Sequence, residues 1–148
     1  MTIREAFVAS EGKKILAMDY SQIELRLMAH YSKDQIMLDS FKNNEDIHKR
    51  TASEVFSVEM ENVTDEMRRR AKTINFGLLY GMSAFGLSNQ LSVSRAEAEE
   101  FLLNYFAKYS SIKVFMKDVV EQAKKDKYVS TLYGRKIHVP NIESPNYM

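Results

Sequence analysis

A mostly helical α+β fold is the class this sequence predicts, and three observations predict it. The two prolines, Pro140 and Pro145, lie near the C-terminal end of the 148 residues, so the stretch before them is open to long helices. Apolar residues in that stretch recur at helical spacing, as in Ile112, Phe115, Val119 and Ala123. Short runs containing β-branched residues mark strands near the two ends.

The elements follow in order. Ile15-Leu16-Ala17-Met18 comes after the turn-like Glu11-Gly12 and ends at Asp19, which predicts a buried strand. Gln22 to Tyr31 reads as a helix, with Ile23, Leu27 and His30 near one face and Glu24 and Met28 beside it. Ile36 to Phe41 and Ile47 to Phe56 read as two more, parted by Asn43-Asn44. Thr64 suits an N-cap, and Asp65 and Glu66 suit the positive end of the helix dipole, for a helix running to about Gly81. Ser94 and Glu97 have capping-box spacing and open a helix through Tyr109. Ser111 to Lys127 gives another. Tyr128 to Leu132 and Lys136 to Val139 then read as a hairpin turning through Tyr133-Gly134-Arg135.

Composition sets the class. The chain is 45% hydrophobic and 28% charged, which suits one globular domain rather than a disordered segment. It has no Cys, so a disulfide framework and thiolate metal sites are excluded, and a reducing compartment fits. Met1 to Ser10 holds no apolar run of signal-peptide length, and no stretch approaches the roughly 18 apolar residues of a membrane span. The net charge of +1 means that any nucleic-acid binding must come from local clusters.

Two places carry chemistry. Asp19 stands where the first strand gives way to a helix, a rigid position for a ligand, and Glu24 follows five residues on. A carboxylate there suits a hard cation such as magnesium, which takes oxygen ligands. The competing reading has Asp19 capping the helix and Glu24 pairing with a nearby arginine.

The second place is a row of residues four apart: Arg68, Lys72, Phe76 and Tyr80. Each step of four drifts only about 40° around a helix, so the row forms one slanting stripe roughly 18 Å long. Its first half is cationic and its second aromatic, the order a triphosphate followed by sugar and base requires. Arginine offers a fork to phosphate oxygens, lysine a point charge, and a ring a stacking face. The alternatives are a solvated charge run at Arg68-Arg69-Arg70 and core positions for Phe76 and Tyr80, with Ile74, Leu78 and Leu79 as a competing apolar face.

The strings DYSQIELR at 19–26 and RRRAKTINFGLLYG at 68–81 resemble two motifs of the family A DNA polymerases, the second written R-x-x-x-K-x-x-x-F-G-x-x-Y-G. Asp46-Ile47-His48, Met82-Ser83-Ala84-Phe85-Gly86-Leu87 and Thr131-Leu132-Tyr133-Gly134-Arg135 also look like family segments, and the resemblance runs from about Ile3 to Ile142. It implies fingers helices with a fragment of the palm sheet of a right-hand polymerase. Residues 1–33 would be partial palm, 34–127 fingers, and 128–148 a hairpin returning towards the palm.

By that resemblance Asp19 would bind both catalytic magnesium ions, with the Tyr20 carbonyl against one of them. Glu24 would exclude a ribose 2′-hydroxyl. Arg68 and Lys72 would hold the triphosphate, with Lys72 a candidate proton donor to pyrophosphate. His48 would approach the phosphates, Phe76 would pack beside the sugar, and Tyr80 would guard the template-side stacking position. Phe rather than Tyr at 76 resembles members that discriminate against dideoxynucleotides. Arg135 and Lys136 are candidate contacts to the DNA backbone.

The implied partners are a DNA primer–template and deoxynucleoside triphosphates, in a bacterial cytoplasm and nucleoid, with no membrane. The implied reaction is two-metal phosphoryl transfer to a primer 3′-hydroxyl, the metals about 3.5–4 Å apart. The family's second catalytic carboxylate comes from a His-Asp-Glu turn, and its primer–template helix carries Arg, Asn and Gln. Neither occurs in these 148 residues, so the isolated chain is expected not to extend primers. Exposed palm surface is expected to favour self-association. A non-catalytic nucleotide- or DNA-binding fragment is the alternative. A single-subunit RNA polymerase relative is disfavoured by Glu24 and by Phe76.

Overall fold

The computed structural model describes residues 3–144, so the last four residues of the 128–148 segment lie outside the described residues. Seven α-helices among them carry nearly all the order: α1 (Ile23–Ser32), α2 (Gln35–Lys42), α3 (Ile47–Phe56), α4 (Asp65–Leu79), α5 (Ala84–Leu91), α6 (Arg95–Lys108) and α7 (Ser110–Asp126). Strands β1 (Tyr128–Ser130) and β2 (Lys136–His138) form one antiparallel pair, with Val129 opposite Ile137.

The helices begin where short oxygen-bearing side chains can take up unpaired backbone N–H groups. Asp34 accepts from Met37 N, Thr64 from Met67 N and Ser83 from Gly86 N, opening α2, α4 and α5. Asp46 accepts from the amides of both His48 and Lys49 at the start of α3. Ser94 and Glu97 make the expected capping box at α6. Helix α4 stops in a Schellman turn: Gly81 takes φ +73°, its N–H reaches Leu78 O at 2.9 Å, and Met82 N–H reaches Gly77 O at 2.8 Å.

Packing follows the apolar faces. Ile47 and Val55 of α3 meet Ile74 and Leu78 of α4 in a core shared with Leu25, Met37, Leu87 and Tyr105. Tyr109 is fully buried at the break between α6 and α7. Gly77 and Gly86 let α4 and α5 close on Met82, whose Sδ would lie 3.1 Å from a Cβ at 77 and whose Cγ 2.8 Å from one at 86.

Two expectations are corrected. Ile15 to Met18 is not a strand; it is chain without regular secondary structure, with Leu16 79% and Met18 85% exposed. A buried strand needs partners for its N–H and C=O groups, and the strands among the described residues pair only with each other. Helix α1 buries Leu25 and Ala29, while Ile23, Leu27 and His30 face outward. Helix α5, on a stretch given no element above, forms over eight residues because Met82 and the Ser83 cap anchor its first turn.

Candidate nucleotide-binding groove

Helix α4 carries the site because its two sides differ. Ala71, Ile74, Asn75 and Leu78 are buried, so Lys72, Phe76 and Tyr80 are turned towards the surface. They line a groove of about 300 Å³ with Arg69, Thr73, Gly77, Met82 and Gln90. The stripe is therefore real over three of its four residues. Arg68 turns aside to α3, where its Nε donates to Oδ2 of Asp46 at 2.6 Å.

The cations along this face are not equivalent. Arg69 and Arg70 both pair with Glu66 one turn back. Arg68 is held by Asp46, and Lys72 makes no ion pair within 4 Å among the described residues. Lys72 is thus the cation most available to an incoming anion.

The aromatic end is tied to the first motif. Tyr80 stands at the C-terminal cap of α4, and its hydroxyl donates to Oε1 of Glu24 on the first turn of α1. That contact holds the phenol above its ordinary pKa: the hydrogen bond to Glu24 is the main cause, followed by slight burial and the carboxylate's charge. The competing reading of the first motif fails on geometry. The residue before α1 is Gln22 in a left-handed conformation with no side-chain cap, so Asp19 caps nothing. Arg26, two positions along the chain, donates to Ser21 O at 3.0 Å and lies over the Phe41 ring instead of pairing with Glu24.

Behind the groove lies a polar cluster. His48 is buried on α3 against Phe76, ring centroids 5.9 Å apart. Its Nδ1 is 3.1 Å from Asn75 Nδ2, and Asn75 in turn meets Thr51. Burial lowers the His48 pKa, Arg68 and Lys72 lower it further, and Asp46 opposes them, so the ring is neutral at neutral pH. For Asp46, burial pushes the carboxyl up. The Arg68 hydrogen bond and charge, with the Lys49 and His48 amides, outweigh it and leave the carboxyl below the usual range.

The remaining candidates stand apart. Asp19 and Tyr20 are exposed on the irregular segment before α1. Among the described residues no three His, Asp or Glu side chains cluster as a metal site. One carboxylate and one carbonyl fall short of the oxygen shell that magnesium requires, so Asp19 can supply only part of such a site. Arg135 and Lys136 are exposed on the hairpin, where Lys136 Nζ sits 4.1 Å over the Tyr128 ring.

Sequence reasoning missed Asn75 and Thr51 as members of this site. The available signal was an amide in mid-helix beside Ile74 and Leu78, where a buried polar group demands partners.

Comparison with known proteins agrees in one direction. The family model described as DNA polymerase family A matches residues 1–148. DNA polymerase I of Pseudomonas aeruginosa is 51% identical over 144 residues, covering 97% of this chain and 16% of that protein. DNA polymerase I of Geobacillus stearothermophilus is 46% identical over 146 residues, covering 98% and 17%. The chain thus spans about a sixth of these relatives' length. Among solved structures, the POL domain of Pol1 from M. smegmatis, in complex with DNA primer-template and dNTP, superposes with a TM-score of 0.82 at 45% identity. That match covers 86% of this chain and 23% of the other.

Proposed function

This chain belongs to DNA polymerase family A, and from that premise we propose that it is the nucleotide-receiving part of a template-directed DNA polymerase. Residues 34–127 would be the fingers, 1–33 part of the palm, and 128–148 the return towards it. The observation that carries the reading is the groove on α4, where Lys72, Phe76 and Tyr80 follow one another and Tyr80 holds Glu24.

Each residue then has a physical task. Lys72 meets triphosphate oxygens as an uncommitted point charge and is placed to give a proton to the departing pyrophosphate. Arg68 joins it by exchanging Asp46 for phosphate, a like-for-like swap of oxygen partners. His48 adds a hydrogen bond at the phosphates. Phe76 packs beside the sugar, and Glu24, held by Tyr80, fills the space a 2′-hydroxyl would need. Phe76 also favours discrimination against dideoxynucleotides. Catalysis here is positioning and charge stabilisation of phosphoryl transfer to a primer 3′-hydroxyl.

Magnesium would supply the charge neutralisation this reaction needs. Asp19 and the Tyr20 carbonyl would be two of its oxygen donors, and a further carboxylate must come from outside the described residues. The 148 residues alone are therefore expected to bind nucleotide without extending a primer. Arg135 and Lys136 would meet the DNA backbone, and the setting would be the bacterial cytoplasm at the nucleoid. No described helix is long and apolar enough to cross a membrane. Exposed Leu16 and Met18, with an apolar groove between Leu27, Phe115 and Ile137, favour self-association of the isolated chain.

The test is titration of the chain with a deoxynucleoside triphosphate, followed by calorimetry. Removing a charged hydrogen-bonding partner costs about 1.5–3 kcal/mol, so Lys72→Ala and Arg68→Ala should each weaken binding roughly tenfold or more. Equal binding by the double variant would overturn the proposal.

A further inference from the structure

Asparagine is a poor choice for a helix interior, and Asn75 is 0% exposed in the middle of α4. Its amide lies within hydrogen-bonding reach of two side chains. Nδ2 lies 3.1 Å from Nδ1 of His48 and 3.1 Å from Thr51 Oγ1, and Oδ1 lies 3.2 Å from the same hydroxyl. Thr51 is anchored to the Ile47 carbonyl at 2.9 Å and stands 3.4 Å from the Tyr109 hydroxyl. The cluster therefore joins α3, α4 and the α6–α7 break.

A neutral imidazole carries one N–H and one acceptor nitrogen, and its neighbours decide which is which. An amide N–H aimed at Nδ1 leaves the ring proton on Nε2. That second nitrogen makes no hydrogen bond among the described residues. His48 is 3% exposed, and its ring centroid stands 5.9 Å from that of Phe76, which lines the groove. The charged groups acting on the ring are Asp46, Arg68 and Lys72.

We infer that Asn75 is a positioning residue: it fixes His48 in the Nε2–H tautomer and so presents a ready N–H donor to a phosphate oxygen at the α3–α4 edge. The ligand in this statement rests on the proposed function; the tautomer does not. The advantage is preorganisation. A donor already protonated and locked by a buried amide needs no reorientation when the anion arrives. A neutral donor also adds a hydrogen bond without placing a third positive charge beside Arg68 and Lys72. If the Asn75 amide were turned over, its oxygen would face Nδ1 and the proton would move there. Nε2 would then be an acceptor, useless to phosphate.

Long-range proton–nitrogen correlation spectra of the 148-residue chain distinguish the two cases, with a His48→Gln variant to assign the signals. The expected pattern is a bare Nδ1 and a protonated Nε2 at neutral pH; a protonated Nδ1 with a bare Nε2 overturns the inference. In Asn75→Asp a carboxylate can only accept, so the Nδ1 signal should change to the protonated type while His30 and His138 stay as they are. An unchanged His48 pattern in that folded variant also overturns it. Should the variant not fold, the spectrum of the unaltered chain decides alone. Inorganic tripolyphosphate should then shift the Nε2 signal. Tripolyphosphate that binds at Lys72 without moving Nε2 refutes the donor role. Tripolyphosphate that binds nowhere refutes the proposed function, and the first spectrum still judges the tautomer.

Discussion

The phenol of Tyr80 donates a hydrogen bond to the carboxylate of Glu24, joining side chains 56 positions apart in the chain. The contact is the physical link between the two motifs, because it fixes the Glu24 oxygen against the aromatic end of α4. It also has a pH signature. The protonated phenol is the form that donates, so the Tyr80 pKa is raised above 10.0. The contact is complete below that value and is lost as pH climbs through the raised one. Subtracting the ultraviolet titration of Tyr80→Phe from that of the unaltered chain isolates this residue. Its midpoint should lie above 10.0, and Glu24→Gln should bring it down towards the ordinary value. A Tyr80 midpoint that ignores the Glu24 substitution contradicts the contact.

Asp46 has two separable roles, and two substitutions part them. Its Oδ1 caps α3 through the His48 and Lys49 amides, and its Oδ2 holds Arg68. Asn caps a helix almost as well as Asp, so Asp46→Asn should lose mainly the half-exposed ion pair, about 0–1 kcal/mol. Asp46→Ala loses the cap as well and should cost about 1 kcal/mol more. The folded pKa is depressed below 3.8, so the charged form stabilises the fold above 3.8 and the benefit disappears as pH falls through the lower folded value. Urea midpoints should therefore separate the chain from Asp46→Asn at neutral pH and converge in acid. A gap that persists unchanged to pH 2 would rule out the charge as its source.

Thr51 is a stricter test of the buried cluster. It is fully buried, and valine has nearly its shape. Thr51→Val removes the hydroxyl oxygen that accepts from Asn75 Nδ2, and an unsatisfied buried polar group costs about 1–3 kcal/mol. Chemical denaturation should show a loss of that size with an unchanged slope. A loss below about 0.5 kcal/mol would mean that the hydroxyl contributes only packing.

Much of this fold was legible because it is local. The Thr64, Ser94 and Glu97 caps, and α3 to the residue, follow from rules acting within a few positions. What could not be read depends on distant partners. Ile15 to Met18 has strand composition, but a strand is a relation between segments, and no described segment pairs with it. The buried side of α1 was misjudged because Ile23 and Leu27 have the right spacing, and only the position of α2 and α7 decides that Leu25 and Ala29 turn inward. The row from Lys72 to Tyr80 was visible from periodicity alone. The departure of Arg68 to Asp46 was not, since it depends on how α3 crosses α4.

The α4–α5 corner supplies the last prediction, where two effects of opposite sign compete. Replacing Gly86 by alanine inside α5 removes glycine's helix penalty, a gain of about 1 kcal/mol. The added methyl would meet Met82 Cγ at 2.8 Å, closer than carbon atoms tolerate. That atom lies near the backbone and cannot swing away like a side-chain tip, so overpacking of about 1–3 kcal/mol should prevail. Gly86→Ala should therefore lower the melting temperature, although helix propensity alone argues the reverse. Met82→Ala removes the obstacle, leaves a void, and is destabilising by itself. Combined, the two substitutions should be less harmful than the sum of their separate effects, because the methyl at 86 enters space that Met82 has left. Additive losses in a double-mutant cycle would show that Met82 does not set the spacing of α4 and α5. A non-additive rescue would place the groove's far wall, Gly77 and Met82, under the control of this single contact.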